Sequence, residues 1–299
     1  MKKALVLAAI AAMLFSCAEI PAPTPTPDPE PTPTPTPTPE PEKWAINIAT
    51  NITRATDTEF EYGDKVGLYV VNDPEELRSE GNHVDNVGFT NYGGWHSDYP
   101  VYWKDKTTNA SFYCYYPYTD YIPNVHAYEF WLRADQRDVY EYKANDFLWG
   151  KVTGVEPTQE SVGITVNHIM SSLVINLNAG NGYSDEDMEN AWVTIHGLKT
   201  AAYINLESGA VEAAGDPGEI MPMAEGRQRR ALVIPQNVYD QELIKVSIGD
   251  KVYNIYQTVY FESGKQYTCT LTIDRVNQGI NIGIGGWESG GEDFGGVVE

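Results

Sequence analysis

The amino-acid sequence predicts an all-β protein built from two β-sandwiches in tandem. Short segments in which apolar and polar residues alternate recur along residues 44–299, and glycine or proline separates them. This alternation is typical of strands with one buried face, and many short strands at regular spacing favour sandwiches. The chain also contains 20 tyrosines, and aromatic residues are enriched in strands.

Two groups of predicted strands lie on either side of residues 151–163, which are rich in glycine, proline and polar residues. The predicted strands before this stretch are 44–52, 65–71, 101–103, 110–116, 128–132 and 146–150. The predicted strands after it are 163–166, 172–177, 191–195, 202–206, 231–236, 245–248, 251–256 and 266–273. Residues 72–100 are predicted to be a polar loop, and only residues 184–191 look helical. We therefore expect an N-terminal sandwich at 44–162 and a C-terminal sandwich with its tail at 163–299.

The first residues have the pattern of a secretory signal. Lys2 and Lys3 precede an apolar run at 4–15, which is shorter than the roughly 20 residues of a membrane-spanning helix and fits the h-region of a signal peptide. The run leads to Leu-Phe-Ser-Cys at 14–17, which resembles the lipobox of bacterial lipoproteins. We predict a lipoprotein signal peptide at 1–16 and lipidation of Cys17. The alternative is an ordinary signal peptide with an incidental cysteine.

A proline ladder follows this cysteine, with proline at every second position from 21 to 41. Proline fixes its own φ and disfavours helix at the residue before it, so the segment is predicted to be extended. Acidic residues such as Asp28 and Glu40 keep it solvated. Residues 17–43 are therefore predicted to be a spacer between a lipid-held N-terminus and the folded body.

The composition excludes some classes of function. The formal net charge is −22 at pH 7, which argues against nucleic-acid binding because that needs a basic surface. No nucleophile elbow, phosphate-binding loop or zinc-protease motif is present, and the five histidines lack ligand spacing. We expect no catalytic residues, no cofactor and no metal site. Cys114 and Cys269, each in a predicted strand, are expected to be buried free thiols, with a disulfide between them as the alternative.

Aromatic residues are the abundant feature that can bind a ligand. Trp95 and Trp103 lie in and beside the polar loop, with several tyrosines near them in the sequence. Tryptophan and tyrosine stack on sugar rings, and they also build sandwich cores. We therefore keep two interpretations of Trp95 and Trp103, a glycan contact and internal packing.

Short motifs follow one another in order along almost the whole body of the chain. They include Ile-Thr-Arg-Ala-Thr at 52–56 and Val-Asn-His-Ile-Met-Ser-Ser-Leu-Val at 166–174, with others at 60–69, 100–103, 110–117, 146–149, 231–236, 264–267 and 286–287. In this order and spacing they resemble the fimbrillin-like proteins of the Bacteroidales, the major and accessory pilins of type V fimbriae.

This resemblance implies a structure and a maturation pathway. Such proteins look like two transthyretin-like β-sandwiches and are exported to the outer membrane as lipoprotein precursors. An arginine-specific surface protease cuts after an arginine near the N-terminus, and the groove vacated by the first strand accepts a strand from a neighbouring subunit. The matching bond here lies between Arg54 and Ala55, and the strand to be lost is 44–52. The alternative for Arg54 is a plain solvated arginine.

The resemblance also implies partners and a donor strand. The expected partners are other fimbrial subunits, the arginine-specific protease, ligands on host or bacterial surfaces, and the outer membrane through the lipid. An alternating segment near the end of the chain is the candidate donor, with Ile280, Ile282, Ile284 and Trp287. Residues 285–299 are glycine-rich, and they are shorter than the C-terminal segment of stalk pilins. We therefore expect either a stalk subunit or an accessory, tip-proximal or basal subunit. A glycan-binding outer-membrane lipoprotein that forms no polymer is the second hypothesis.

Overall fold

A computed structural model describes residues 42–52 and 59–275, together with the backbone of residues 280–286. Strands make up 56% of the described residues and helices 4%, so the prediction of an all-β fold is confirmed. The described residues contain two helices, α1 (Val139–Lys143) and α2 (Asp185–Glu189). Within these residues no helix is long and apolar enough to cross a membrane. The predicted signal peptide and Cys17 lie outside the described residues.

The first half of the chain builds a sheet of seven strands. Its strands are β1 (Asn47–Ile52), β2 (Lys65–Asn72), β3 (Val84–Asn91), β4 (Trp95–Ser97), β5 (Ala110–Tyr116), β7 (Leu148–Val155) and β8 (Ser161–His168). Their order in the sheet is β1-β8-β7-β5-β2-β3-β4. The predicted domain boundary at 162/163 therefore falls inside β8, and the division into two domains stays a prediction.

The remaining strands form two sheets of five. They are β6 (Tyr128–Trp131), β9 (Ser171–Ala179), β10 (Trp192–Ile204), β11 (Val211–Ile220), β12 (Met223–Glu225), β13 (Gln228–Val233), β14 (Asn237–Ile248), β15 (Lys251–Tyr260), β16 (Gln266–Ile273) and β17 (Ile280–Gly286). One sheet has the order β11-β10-β14-β15, with β6 also pairing with β10, and the other has the order β12-β13-β9-β16-β17.

The large sheet buries side chains on both of its faces. Along β2, Leu68 belongs to one hydrophobic cluster and Tyr69 to the other. Along β5, Cys114 belongs to the same cluster as Leu68, and Tyr113 belongs to the same cluster as Tyr69. Because successive side chains of a strand point to opposite faces, these central strands separate two cores. This explains why their sequences read as nearly continuous apolar runs.

Two sequence predictions about strands are wrong. Residues 72–100 are not one polar loop, because they contain β3 and β4. Asn86 in β3 has a φ of +46°, and the pairing of β2 with β3 shifts register beside it, so the alternation that marks a strand is broken there. The strands predicted at 191–195 and 202–206 are parts of the single long strand β10, which register shifts interrupt between Ile195 and Ala201.

Both body cysteines are free and buried, which confirms that expectation over a disulfide. Cys114 lies on the face of the large sheet that packs against β1, and Cys269 lies in the other cluster. Burial raises the pKa of each thiol to about 12 because the thiolate is poorly solvated there.

Gly150 in β7 is expected to tolerate no side chain. A Cβ at this position would lie 2.2 Å from the carbonyl oxygen of Thr165 in β8, so Gly150→Ala must push the two strands apart. We expect a loss of about 2 kcal/mol in the free energy of unfolding, measured by urea denaturation. Gly163→Ala in β8 is the matched control, since nothing lies within 4 Å of its Cβ. Equal losses in the two variants would contradict this packing.

The buried thiols are expected to make the fold less stable in alkali. A group whose pKa is higher in the folded state stabilises the fold below its ordinary value of about 9, and this contribution is lost as the pH rises towards 12. The difference in unfolding free energy between the wild type and Cys114→Ala should shrink by up to about 1.4 kcal/mol per pH unit above pH 9. A difference that stays constant from pH 8 to 11 would contradict burial of this thiol.

Candidate functional site at the edge of the large sheet

The segment that ends two residues before Arg54 forms an edge of the seven-stranded sheet. β1 pairs in parallel with β8, from Asn47 opposite Ser161 to Ile52 opposite Val166. This confirms a strand within the predicted range 44–52. Arg54 and Ala55 themselves lie outside the described residues.

The start of this segment is held on its other side by residues 101–103. The Ile46 amide donates to the Val101 carbonyl at 2.9 Å, and the Trp103 amide donates to the Trp44 carbonyl at 2.9 Å. An isolated bridge joins Ala45 and Tyr102 between these bonds. The segment 44–52 therefore pairs with residues 101–103 at its beginning and with β8 from Asn47 onward.

One face of the segment completes a hydrophobic core. Ile46 and Ile48 are 3% and 4% exposed, whereas Asn47 and Ala49 between them are exposed. Trp44 and Ile52 pack against the same cluster and are partly buried. Since the buried residues recur at every second position, the inner face is formed by 44, 46, 48, 50 and 52. We call this set the inner row.

The neighbouring strand β8 presents a matching row. Val162, Ile164 and Val166 are all buried, and Ser161, Gly163 and Thr165 between them are exposed. In the parallel register Ile48 lies opposite Val162, Thr50 opposite Ile164, and Ile52 opposite Val166. Every residue of the inner row within β1 therefore has a buried aliphatic neighbour across the strand pair.

Trp103 belongs to this core and not to the surface. It is 5% exposed, and its ring lies edge-on to Phe112 with centroids 5.4 Å apart. A glycan therefore has no access to the Trp103 ring in this fold. Trp44 contributes from the segment itself, with the Lys106 ammonium 4.8 Å from its ring centroid and Lys106 paired with Glu42 at 3.2 Å.

A small acidic cavity of about 40 Å³ lies where β1 ends. Its lining includes the apolar side chains Ile52, Phe60 and Leu148 and the carboxylates Glu59, Glu61, Asp64 and Asp146. Asp146 contacts His168 Nδ1 at 2.6 Å, and Lys143 is paired with Glu61. The cavity thus brings carboxylates next to the last residue of β1 before the predicted cleavage bond.

The Tyr116 hydroxyl belongs to the same cavity. It donates to Asp64 Oδ1 at 3.1 Å, and burial followed by the nearby Asp64 charge raises the pKa of this phenol well above its usual range. Tyr116 therefore stays protonated and remains a hydrogen-bond donor at any physiological pH.

An exposed aromatic patch lies near Trp95 on the same sheet. Trp95 is half-buried with its ring 4.9 Å from that of Phe60. Tyr62 is 78% and Tyr92 is 55% exposed, and their ring centroids lie 5.3 Å apart. The sequence analysis did not single out Tyr62 or Tyr92. Tyr62 lies in the turn before β2 and Tyr92 directly follows β3, so the two meet only in the folded sheet and no local pattern marks the pair.

The candidate donor segment forms the strand β17 within its own chain. Its backbone pairs antiparallel with β16, with Ile280 opposite Ile273, Ile282 opposite Leu271 and Ile284 opposite Cys269. β17 is the last strand of its sheet. Trp287 lies outside the described residues.

No metal centre is formed by the part of the chain that the structure describes, since no group of three or more His, Cys, Asp and Glu side chains there is placed to hold an ion. The carboxylates of α2 are used locally instead. Ser184 and Asp187 form a capping box at its N-terminus, which satisfies amide groups that the first turn leaves unpaired.

Comparison with known proteins identifies relatives over most of the chain. A family model described as fimbrillin-like matches residues 53–287. A Bacteroides uniformis protein named as a fimbrium subunit, Fim1C, is 26% identical over 258 aligned residues, covering 80% of this chain and 82% of that protein. A Bacteroides ovatus protein named as a fimbrium tip subunit is 30% identical over 144 residues, covering 42% of this chain and 26% of that relative's length.

Solved structures share the fold. A Bacteroides uniformis protein described as a cell adhesion protein superposes with a TM-score of 0.67 at 21% identity, over 82% of this chain and 99% of that one. A second, from Bacteroides ovatus and described in the same way, gives a TM-score of 0.68 at 19% identity, over 86% and 99% of the two chains. Since the family model covers most of the sequence, the resemblance found from the motifs is confirmed. The protein belongs to the fimbrillin-like family, a family of structural fimbrial subunits and not of enzymes.

Proposed function

We propose that this chain is a fimbrial subunit that matures by cleavage after Arg54 and assembles by accepting a strand from a neighbouring subunit in place of residues 44–52. The observation that carries the proposal is the position of β1. It ends at Ile52, two residues before Arg54, and Ile48 in the strand and Ile46 just before it are buried in the hydrophobic core of the sheet.

Loss of the segment would open two kinds of binding surface at once. The edge of β8 would present unpaired backbone groups from Ser161 to Val166. The places of Ile46 and Ile48 would become an apolar slot beside it. An unpaired sheet edge next to an apolar slot is a template for β-augmentation by another chain.

The incoming strand must match the pattern of the strand it replaces. A shift of one residue would turn its apolar side chains away from the core. Ile280, Ile282 and Ile284 have the required alternation, and Trp287 follows three residues later. This segment must leave the edge of its own sheet to act as a donor. We propose it as the donor, with other fimbrial subunits as its partners.

Export as a lipoprotein accounts for the segment before the body. Cys17 would hold the precursor in the outer membrane, and the proline-rich spacer at 17–43 would carry the body away from the lipid. An arginine-specific protease at the cell surface would then release the subunit from this tether. The same cut would remove the lipid and leave the edge of β8 and the apolar slot beside it unoccupied. The subunit would therefore be released and become able to accept a donor strand in one step.

We further propose that the body consists of two transthyretin-like sandwiches, at about 44–162 and 163–299. One hydrophobic cluster draws only on residues 44–166, which supports a separate N-terminal core, whereas the other cluster takes residues from both halves of the chain. An accessory or tip-proximal position in the fimbria is supported by the Bacteroides ovatus relative, which is named as a tip subunit.

Cleavage is tested on the subunit sheared from the surface of a Bacteroides host that expresses the full chain. N-terminal sequencing should find Ala55 as the first residue of the wild type, because cleavage follows Arg54. Arg54→Gln should keep the longer form and enter no polymer. Arg78→Ala, at an exposed arginine of the same half, is the matched control and should mature normally. A lipidated Cys17 as the only N-terminus on sheared wild-type protein would refute this route.

The exposed aromatic patch favours glycan recognition as a second candidate function. Tyr62 and Tyr92 offer ring faces to solvent at the sheet surface with Trp95 nearby. Aromatic faces stack on the apolar faces of sugar rings. A glycan would bind there with or without polymerisation of the subunit.

Glycan binding is tested by pull-down on immobilised host and bacterial glycans. If the patch binds sugars, Tyr92→Ala and Trp95→Ala should each weaken retention about tenfold, since each removes a stacking surface of about 1.4 kcal/mol. Tyr121→Ala, at a tyrosine 69% exposed, is the control and should bind as the wild type does. Equal retention of all the variants would exclude the patch as a glycan-binding site.

A further inference from the structure

Three buried polar atoms without a hydrogen-bond partner lie where β1 is seated. They are Trp44 Nε1 and Thr50 Oγ1, within the inner row, and Trp103 Nε1, in the segment that bonds to Trp44. A polar atom that loses water and gains no partner destabilises the arrangement that buries it. We call the edge of β8 and the apolar slot that residues 44–52 fill the seat of β1. The seat therefore holds residues 44–52 less tightly than the backbone pairing and the two buried isoleucines of this segment would by themselves allow.

Thr50 is the clearest of these mismatches. It shares the inner row with Ile48 and Ile52, and across the strand pair it lies opposite the buried Ile164. Its hydroxyl thus lies between aliphatic neighbours in the inner row and opposite an aliphatic row on β8. Valine has the same branched shape without the hydroxyl, so the site could take an aliphatic residue at no steric expense.

The mismatch concerns side chains and leaves the backbone pairing intact. β1 follows β8 in unbroken register over all six of its residues. Any strand of the same direction would make these backbone bonds equally well. The difference in binding free energy between two strands that occupy the seat therefore depends on the side chains of the inner row.

We propose that the seat of β1 is matched to a partner strand with aliphatic side chains along its whole inner row, and that Thr50 makes the resident strand the weaker occupant. The partner is an extended segment of a second subunit that runs parallel to β8 and carries Val, Ile or Leu at the position of Thr50. This inference rests on the proposed strand replacement. It adds the reason why a donor strand prevails over the strand already in place.

The mismatch is tested first in the intact, uncleaved chain by amide hydrogen exchange with mass spectrometry. Thr50→Val should slow exchange in β1 and β8 about tenfold, which corresponds to about 1.4 kcal/mol. Thr50→Ser keeps the hydroxyl, loses a methyl group and should speed exchange. Ala49→Val is the matched control on the exposed face of the same strand and should change exchange much less than Thr50→Val. Unchanged or faster exchange in Thr50→Val would overturn the proposal, because the hydroxyl would then have a partner.

The preference of the seat is tested separately with peptides. Two synthetic peptides of residues 43–53, one with Thr and one with Val at position 50, compete for the full chain after cleavage at Arg54. The valine peptide should win by about tenfold, and equal occupancy would overturn the preference. If neither peptide binds, the proposed strand replacement fails, and the exchange experiment on the uncleaved chain still decides whether Thr50 weakens the resident strand.

Discussion

Burial of both faces of the seven-stranded sheet is the constraint on which the rest of the structure depends. β2 and β5 send alternate side chains into two separate hydrophobic clusters, as Leu68 and Tyr69 do. A sheet buried in this way must be covered along both faces and closed at its edges, since an uncovered face or edge would expose apolar surface and unpaired backbone groups. One face is covered by the strands of the second half of the chain. The other is closed in part by residues 44–52.

Residues 44–52 can be removed without disrupting the order of the other strands, because they lie at the edge of the sheet. Residues 44–52 contact β8 along one side and residues 101–103 along the other, and they contribute no strand to the middle of the sheet. Their departure would leave the order of the other six strands of this sheet unchanged. A protein that exchanges one strand for another needs this property, because the acceptor must keep its shape while the seat is empty. The Thr50 hydroxyl and the indole groups without partners lie at this element, where the proposed strand exchange would make use of a weaker hold.

Sequence patterns predicted the strands whose alternation or apolar run is uninterrupted, such as those at 65–71, 110–116 and 266–273. They failed at β3, where the positive φ of Asn86 breaks the alternation, and at β11, whose residues are largely exposed or half-buried and include Pro217. They also could not separate Trp95 from Trp103. Both stand among polar residues in the sequence, and only contacts with Trp44 and Phe112, which come from distant parts of the chain, bury Trp103.

By itself the sequence determined the all-β class, the family, the buried state of the two thiols and the place of Arg54 just after an alternating segment, because these depend on composition, local period and the order of motifs. The tertiary structure alone decided that this segment lies parallel to β8, that its inner row faces Val162, Ile164 and Val166, and that Tyr62 and Tyr92 meet at the surface. Strand partners are set by contacts between residues far apart in the chain, and no local pattern encodes them. A threonine at position 50 reads as an ordinary strand residue until its neighbours are known, and only then does its hydroxyl become a buried group without a partner.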